Sequence, residues 1–122
     1  MVKEQYYSMK QMVQLTGLSK DTLRYYEQIR VLQPVVRDTN NYRKYAQADL
    51  DWLKMVKLLR ATGIGVNEFI DGQLASTQKR REYLEQHQLQ IEQDIQKLHL
   101  IHDFLSEKVS FLKMLEDREK KE

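Results

Sequence analysis

The first thirty residues carry two short bursts of apolar positions separated by a break. In Tyr7–Leu15 the apolar residues are Met9, Met12, Val13 and Leu15, and Ser8 stands where a helix N-cap belongs. Thr16-Gly17 interrupts the pattern, Leu18-Ser19 restarts it, and Ser19 is a second N-cap candidate with Thr22 behind it. The spacing predicts a second helix from Asp21 to about Ile29. Two short helices joined by a turn containing glycine is the sequence form of a helix-turn-helix, a pattern shared by many unrelated helix pairs.

Residues 33–45, QPVVRDTNNYRKY, change character. Val35-Val36 and Tyr42–Tyr45 favour strand, and Asp38-Thr39-Asn40-Asn41 supplies turn chemistry, so a β-hairpin is expected. From Asp49 the pattern of Leu50, Leu53, Val56 or Lys57, and Leu58-Leu59 predicts a third helix that ends at Gly63. GIGVNEFID predicts a short fourth helix from near Asn67 to around Gly72.

After Ser76 the chain holds no proline or glycine. Leu84, Ile91, Leu98, Leu105 and Leu112 recur every seven residues, and Gln88, Ile95, His102 and Val109 fall between them at alternating steps of four and three. This is a heptad seam. From Leu84 to Leu112 it covers 29 residues, about 43 Å of helix at the usual rise. So long a helix with one apolar stripe needs a partner, and a second copy of the chain is the simplest one. Beyond residue 98 the apolar surface widens to Leu100, Ile101, Phe104, Phe111 and Leu115. The tail DREKKE is expected to fray. The implied organisation is a globular unit over 1–75 and a dimerisation helix with a short tail over 76–122.

Composition narrows the classes. The chain has 122 residues, no cysteine and no apolar run of membrane-spanning length. Disulfides, thiolate metal sites and thiol switches are therefore excluded, and MVKEQYYSMK lacks the apolar core of a signal peptide. A soluble cytoplasmic chain is the expectation. The net charge of +2 conceals an asymmetry: residues 1–62 carry 11 Lys/Arg against 6 Asp/Glu, and residues 63–122 carry 9 against 12. A polyanion would bind the first half. There is no phosphate loop, and Ser110 and the histidines have no nucleophile–base context, so catalysis is not expected.

Two motifs carry candidate chemistry. In TLRYYE two adjacent tyrosines point about 100° apart, so both rings cannot enter one core. The plain reading is one buried and one exposed tyrosine. The functional reading sets Arg24 and one tyrosine against phosphates or base edges. In NNYRKY the plain reading is a hairpin with a solvated Arg43-Lys44 pair. The functional reading is a wing, with Arg37, Arg43 and Lys44 along a DNA backbone and Tyr42 bracing the turn. Basic residues interleaved with aromatics directly after a helix-turn-helix favour the latter.

With these residues in place, YSMKQMVQLTGLSKDTLRYYEQIRVLQPVVRDTNNYRKYAQADL (7–50) resembles the winged-helix DNA-binding domain of MerR-type transcriptional regulators. The resemblance rests on Tyr7-Ser8, Gly17-Leu18-Ser19, Thr22–Glu27, Pro34, Arg37, Tyr42-Arg43, Tyr45 and Asp49-Leu50, and continues through LLRATGIGVNEF into the long helix. It implies a mainly α fold: a winged helix-turn-helix with a small β-hairpin wing, followed by a long antiparallel dimerisation helix. It implies Arg24 and Tyr25 at the DNA, Ser19, Lys20 and Thr22 at the leading edge of the recognition helix, Tyr42 and Arg43 in the wing, and Arg60 on phosphate. Leu23 and Tyr26 would be structural. Such dimers bind double-stranded promoter DNA at an overlong spacer, which the activated dimer bends and untwists, so RNA polymerase is engaged indirectly through the DNA. The alternatives are a simple promoter-blocking repressor and, from another class, a coiled-coil adaptor whose winged helix binds protein.

Four departures from the family pattern stand out. Arg30 and Asn41 occupy positions where the family has glycine, a left-handed one at the end of the recognition helix in the case of Arg30. Ala46 replaces a serine or threonine cap, and the connector DGQLAST (71–77) is several residues short. His99, His102 and Asp103 resemble a metal site on paper, but without thiolates they read better as a polar seam position and its neighbours. No cofactor is expected. An unidentified small-molecule effector could meet Tyr83, Phe104 and Phe111, where an ordinary core is the competing reading.

Overall fold

The computed structural model describes residues 5–121. The first four positions of the expected 1–75 unit, and Glu122 of the tail, lie outside the described residues. Contacts cluster into two units, Met1–Ser76 and Thr77–Glu122.

In the first unit, Ser8 closes a reciprocal cap at the start of α1 (Met9–Thr16). Its Oγ accepts from the Gln11 amide N–H at 3.2 Å, and Gln11 Oε1 accepts from the Ser8 N–H at 2.8 Å. Gly17 then turns left-handed at φ 74 and returns its N–H to the Val13 carbonyl. Ser19 Oγ accepts from the Thr22 N–H at 3.0 Å and starts α2 (Lys20–Gln28). The buried face of α2 is Leu23 and Tyr26. The residues that follow it, Val31 and Leu32, are fully buried.

The hairpin is present as β2 (Val36–Arg37) and β3 (Arg43–Ala46), antiparallel, with Arg37 opposite Arg43. A third strand, β1 (Tyr6–Tyr7), pairs antiparallel with the other edge of β3, giving the order β1-β3-β2. Nothing in the hydropathy pattern announced β1, because two residues are too few to show a period of two. The turn is held by Asp38, whose Oδ1 accepts from the Asn40 and Tyr42 N–H groups at 2.9 and 3.0 Å. Asn41 sits at φ 67, a left-handed geometry that asparagine tolerates better than most residues.

α3 spans Gln47–Ala61, two residues earlier than the sequence pattern placed its start. The reason is Asp49, whose Oδ2 accepts from the Ala46 N–H at 3.0 Å and so satisfies one orphan donor of a helix with no capping side chain at Ala46. The expected fourth helix is corrected to two short 3₁₀ turns, Val66–Phe69 and Gly72–Leu74. The backbone leaves helical geometry between them, with Ile70 extended at ψ 128 and Asp71 left-handed at φ 58, and the segment is held by burial of Phe69, whose ring meets Trp52 edge-on at 6.3 Å.

The end of α2 and the short connector solve one conformational problem together. Arg30 is left-handed at φ 66 and Asp71 at φ 58. Each such non-glycine residue costs about 1–2 kcal/mol. They offset it jointly: the Asp71 N–H donates to the Arg30 carbonyl at 2.8 Å, and the Arg30 Nε stands 3.2 Å from Asp71 Oδ1. Gln73 extends the stitch, accepting from the Gln33 N–H at 2.7 Å and donating to Asp49 Oδ1 at 3.0 Å. The connector is held by polar contacts to Arg30, Gln33 and Asp49.

The core gathers Met12, Leu23, Tyr26, Val31, Leu32, Tyr45, Leu50, Trp52, Leu53, Val56 and Phe69. Within it the Tyr45 hydroxyl is buried with no hydrogen-bond partner. Burial raises the Tyr45 phenol above its ordinary 10.0, so whatever stability the neutral phenol contributes holds below that pH and is lost as pH rises through the raised value. An unsatisfied buried hydroxyl costs about 1–3 kcal/mol. Tyr45→Phe is accordingly expected to stabilise the protein by about 1 kcal/mol, read as a higher urea midpoint. A lower midpoint would mean that the hydroxyl has a partner after all.

The second unit is a single helix, α4 (Thr77–Lys121), of 45 residues. It continues through the tail expected to fray, up to Lys121. Arg118, Lys120 and Lys121 in the last turn complement the negative end of the helix dipole. No helix among the described residues is long and apolar enough to cross a membrane.

Candidate nucleic-acid interface

The N-terminal ends of α1 and α2 and the hairpin enclose a cleft of about 330 Å³ lined by Ser8, Met9, Lys10, Lys20, Arg24, Arg37, Asn41, Tyr42 and Arg43. Five of the nine are cations and none is an acid. The sequence placed these residues in three separate segments, and capping and hairpin pairing bring them to one face. Ser8 and Ser19 fix where the two helices begin, which sets Lys10, Lys20 and Arg24 on exposed turns. Arg37 and Arg43 are cross-strand partners, and the Arg37 Nη1 is further held by the Asn41 carbonyl at 3.0 Å.

The side chains differ in freedom. Arg24 is 56 % exposed and meets Asp21 only at 3.8 Å, a surface pair of little energetic weight. Tyr42 is 71 % exposed, more than Tyr25 or Tyr6. Arg43 is held: its Nε donates to Glu27 Oε2 at 2.8 Å, with both side chains largely buried. The doubled tyrosine divides as the helix period requires, Tyr26 inside and Tyr25 half exposed beside Arg24.

Other residues singled out in the sequence lie outside the cleft. Ser19 and Thr22 are engaged in the α2 cap, their hydroxyls 2.9 Å apart. Lys44 alternates with Arg43 on β3 and points to the opposite face, its Nζ 4.0 Å from the centre of the Tyr6 ring. Arg60 donates to the Tyr26 hydroxyl at 2.9 Å, which joins the last turn of α3 to the buried side of α2. Lys10 is the cleft cation that sequence reasoning missed. One lysine in MKQM carries no signal until α1 is docked.

On α4 the seam residues Leu84, Ile91, Ile95, Leu98, Leu105, Val109 and Leu112 are all exposed in the single chain, as are Gln88 and His102. His102 Nδ1 approaches Asp103 Oδ1 at 3.5 Å, and no group of three potential metal ligands occurs among the described residues.

A helix-turn-helix whose second helix and following hairpin share a cationic cleft defines a winged helix-turn-helix regulator domain. The family model for "MerR HTH family regulatory protein" matches residues 7–69, just over half of the chain, and the chain belongs to that family. It is 34 % identical over 91 residues to the HTH-type transcriptional regulator CueR of Escherichia coli O6:H1, covering 69 % of this chain and 67 % of CueR. It is also 34 % identical over 55 residues to the HTH-type transcriptional regulator AdhR of Bacillus subtilis, of which it spans 39 %. Among solved structures, HiNmlR, a MerR family regulator lacking the sensor domain and bound to promoter DNA, superposes with a TM-score of 0.70 over 89 % of this chain and 91 % of its own, at 23 % identity. That likeness is one of fold.

Proposed function

We propose that the chain is a homodimeric, sequence-specific DNA-binding transcriptional regulator. α2 enters the major groove and the β2–β3 hairpin follows the adjacent backbone. The observation that carries this reading is the cleft whose lining includes Lys10, Lys20, Arg24, Arg37 and Arg43 without an acidic side chain. Cations at such spacing displace the counterions of a polyanion, which is the main source of protein–DNA affinity. Arg24 and Tyr25, the exposed pair on α2, are assigned to the groove. Arg37, Tyr42 and Arg43 are assigned to the backbone, with Lys44, Arg60, Ser19 and Thr22 as outlying contacts.

Two copies joined through the α4 seam in an antiparallel coiled coil would present two winged helices to two half-sites related by the twofold axis. The family relationship supports the finer mechanism, in which the dimer bends and untwists a promoter spacer and so acts on RNA polymerase through the DNA. Smooth bending of a site of this size costs about 1–6 kcal/mol, which backbone contacts must offset. The cleft favours DNA over the protein-adaptor alternative, because its charge has one sign.

The test uses an operator duplex selected by the protein from a random-sequence pool. Arg24→Ala is expected to weaken binding about tenfold or more, the weight of a lost bidentate base contact, with the circular-dichroism spectrum unchanged. Arg43→Ala should weaken it as well. Wild-type mobility shifts from both variants would reject the assignment. A reporter with a shortened spacer separates remodelling from simple blocking, since only remodelling loses its activating effect there.

A further inference from the structure

The charged residues lining the cleft are all cations, yet one of them is paired with a carboxylate outside it. Glu27 is on α2, one residue past the tyrosine pair, and its Oε2 is 2.8 Å from the Nε of Arg43 on β3. The two side chains are 18 % and 23 % exposed. Glu27 does not line the cleft, whereas Arg43 does.

Long-range electrostatics alone makes Glu27 a liability, since a fixed negative charge near a bound polyanion costs affinity. Geometry gives it a different part. A guanidinium offers five N–H groups in a planar fork. With the Nε hydrogen committed to Glu27, the plane of the fork is set and the Nη hydrogens are left for the cleft. An unpaired arginine at the edge of a hairpin would sample many rotamers, and fixing them on binding costs free energy. The pair also ties β3 to α2, so the wing cation and the recognition helix approach a ligand as one piece.

We infer that Glu27 is a positioning residue for DNA binding: it holds the Arg43 guanidinium in the orientation that contacts a phosphate, and its removal weakens binding although it removes a negative charge. The inference rests on the proposed function.

The experiment measures affinity for the selected operator duplex over a range of salt concentrations for Glu27→Ala, Glu27→Gln, Arg43→Ala and the Glu27→Ala/Arg43→Ala double variant. Loss of a charge-assisted bond of this kind is expected to weaken Glu27→Ala by about tenfold. The slope of log K against log salt should become shallower by about one phosphate contact. Glu27→Gln keeps an acceptor without the charge, so it should fall between wild type and alanine. The double variant should bind no more weakly than Arg43→Ala alone, because Glu27 acts only through Arg43. A merely structural role would not change the salt slope. If Arg43→Ala weakens binding while Glu27→Ala or Glu27→Gln binds as tightly as wild type or tighter, Glu27 is an electrostatic burden and the inference is overturned. If Arg43→Ala itself has no effect, the wing assignment fails first.

Discussion

If the α4 seam joins two copies as proposed, replacing Leu98 with glutamate is expected to leave a monomer where the unaltered chain is expected to dimerise. Leu98 is near the middle of the seam that runs from Leu84 to Leu112, and in the single chain it is 62 % exposed. A leucine on a long helix gains about 1.5–3 kcal/mol when covered, and twofold symmetry counts it twice. A carboxylate there also brings two like charges together in an apolar interface, and an unpaired buried charge is strongly unfavourable. Several kcal/mol are at stake, roughly a thousandfold or more in dimer affinity. Light scattering at micromolar concentration reads the result directly. Gln93→Glu, on the same helix but off the seam, should remain dimeric. A Leu98→Glu dimer as tight as wild type would remove the coiled coil from the account.

The second large effect is expected at Gly72, where alanine should destabilise the fold by about 1–3 kcal/mol. The new Cβ would fall 2.5 Å from Trp52 Cη2 and 3.0 Å from Cζ2. Trp52 has little room to yield. Its Nε1 donates to the Val31 carbonyl at 2.8 Å, and its ring packs edge-on against Phe69. Relief must therefore come from moving the connector, which is itself stitched by the Arg30–Asp71 contact and by Gln73. Urea unfolding should show a lower midpoint at an unchanged slope. Gly65→Ala is the matched control: a Cβ there meets nothing within 4 Å and the backbone is not left-handed, so the midpoint should hold or rise slightly. Equal stability of Gly72→Ala and wild type would mean that the connector does not press on Trp52.

The two predictions draw on different kinds of information. The heptad seam is legible residue by residue, since helix periodicity is local and the spacing of Leu84, Ile91, Leu98, Leu105 and Leu112 repeats without tertiary help. The special role of Gly72 is invisible in DGQLAST. It follows from Trp52, twenty positions earlier, being turned toward it by a bond to Val31. Arg30 falls between these cases. Its conflict with the left-handed end of α2 was readable from the residue type, but the answer came from Asp71, forty-one positions away, which adopts the same conformation and meets it.

The cationic site divides in the same way. That Arg24 and Tyr25 share the outer face of α2 while Leu23 and Tyr26 go inside follows from 3.6 residues per turn and from which side chains tolerate burial. That Arg37 and Arg43 are neighbours follows from a five-residue loop (38–42) rich in Asp, Thr and Asn between two β-prone segments. Assembling them with Lys10 into one cleft requires the docking of α1, α2 and the hairpin around Met12, Leu23 and Tyr45, and no linear spacing encodes that. Strand alternation with one side buried sent Lys44 to the far face, and Arg60 was drawn to the Tyr26 hydroxyl. By itself, then, the sequence determined the order of the four α-helices and the hairpin, the caps that start the first two helices, the two faces of α2 and the apolar stripe of α4, because each is set by residues within a turn or two of one another. The tertiary structure alone decided which cations share the cleft, that Glu27 stands behind Arg43, and how a short connector is accommodated. Those depend on contacts between residues far apart in the chain, and such contacts exist only after the core has closed.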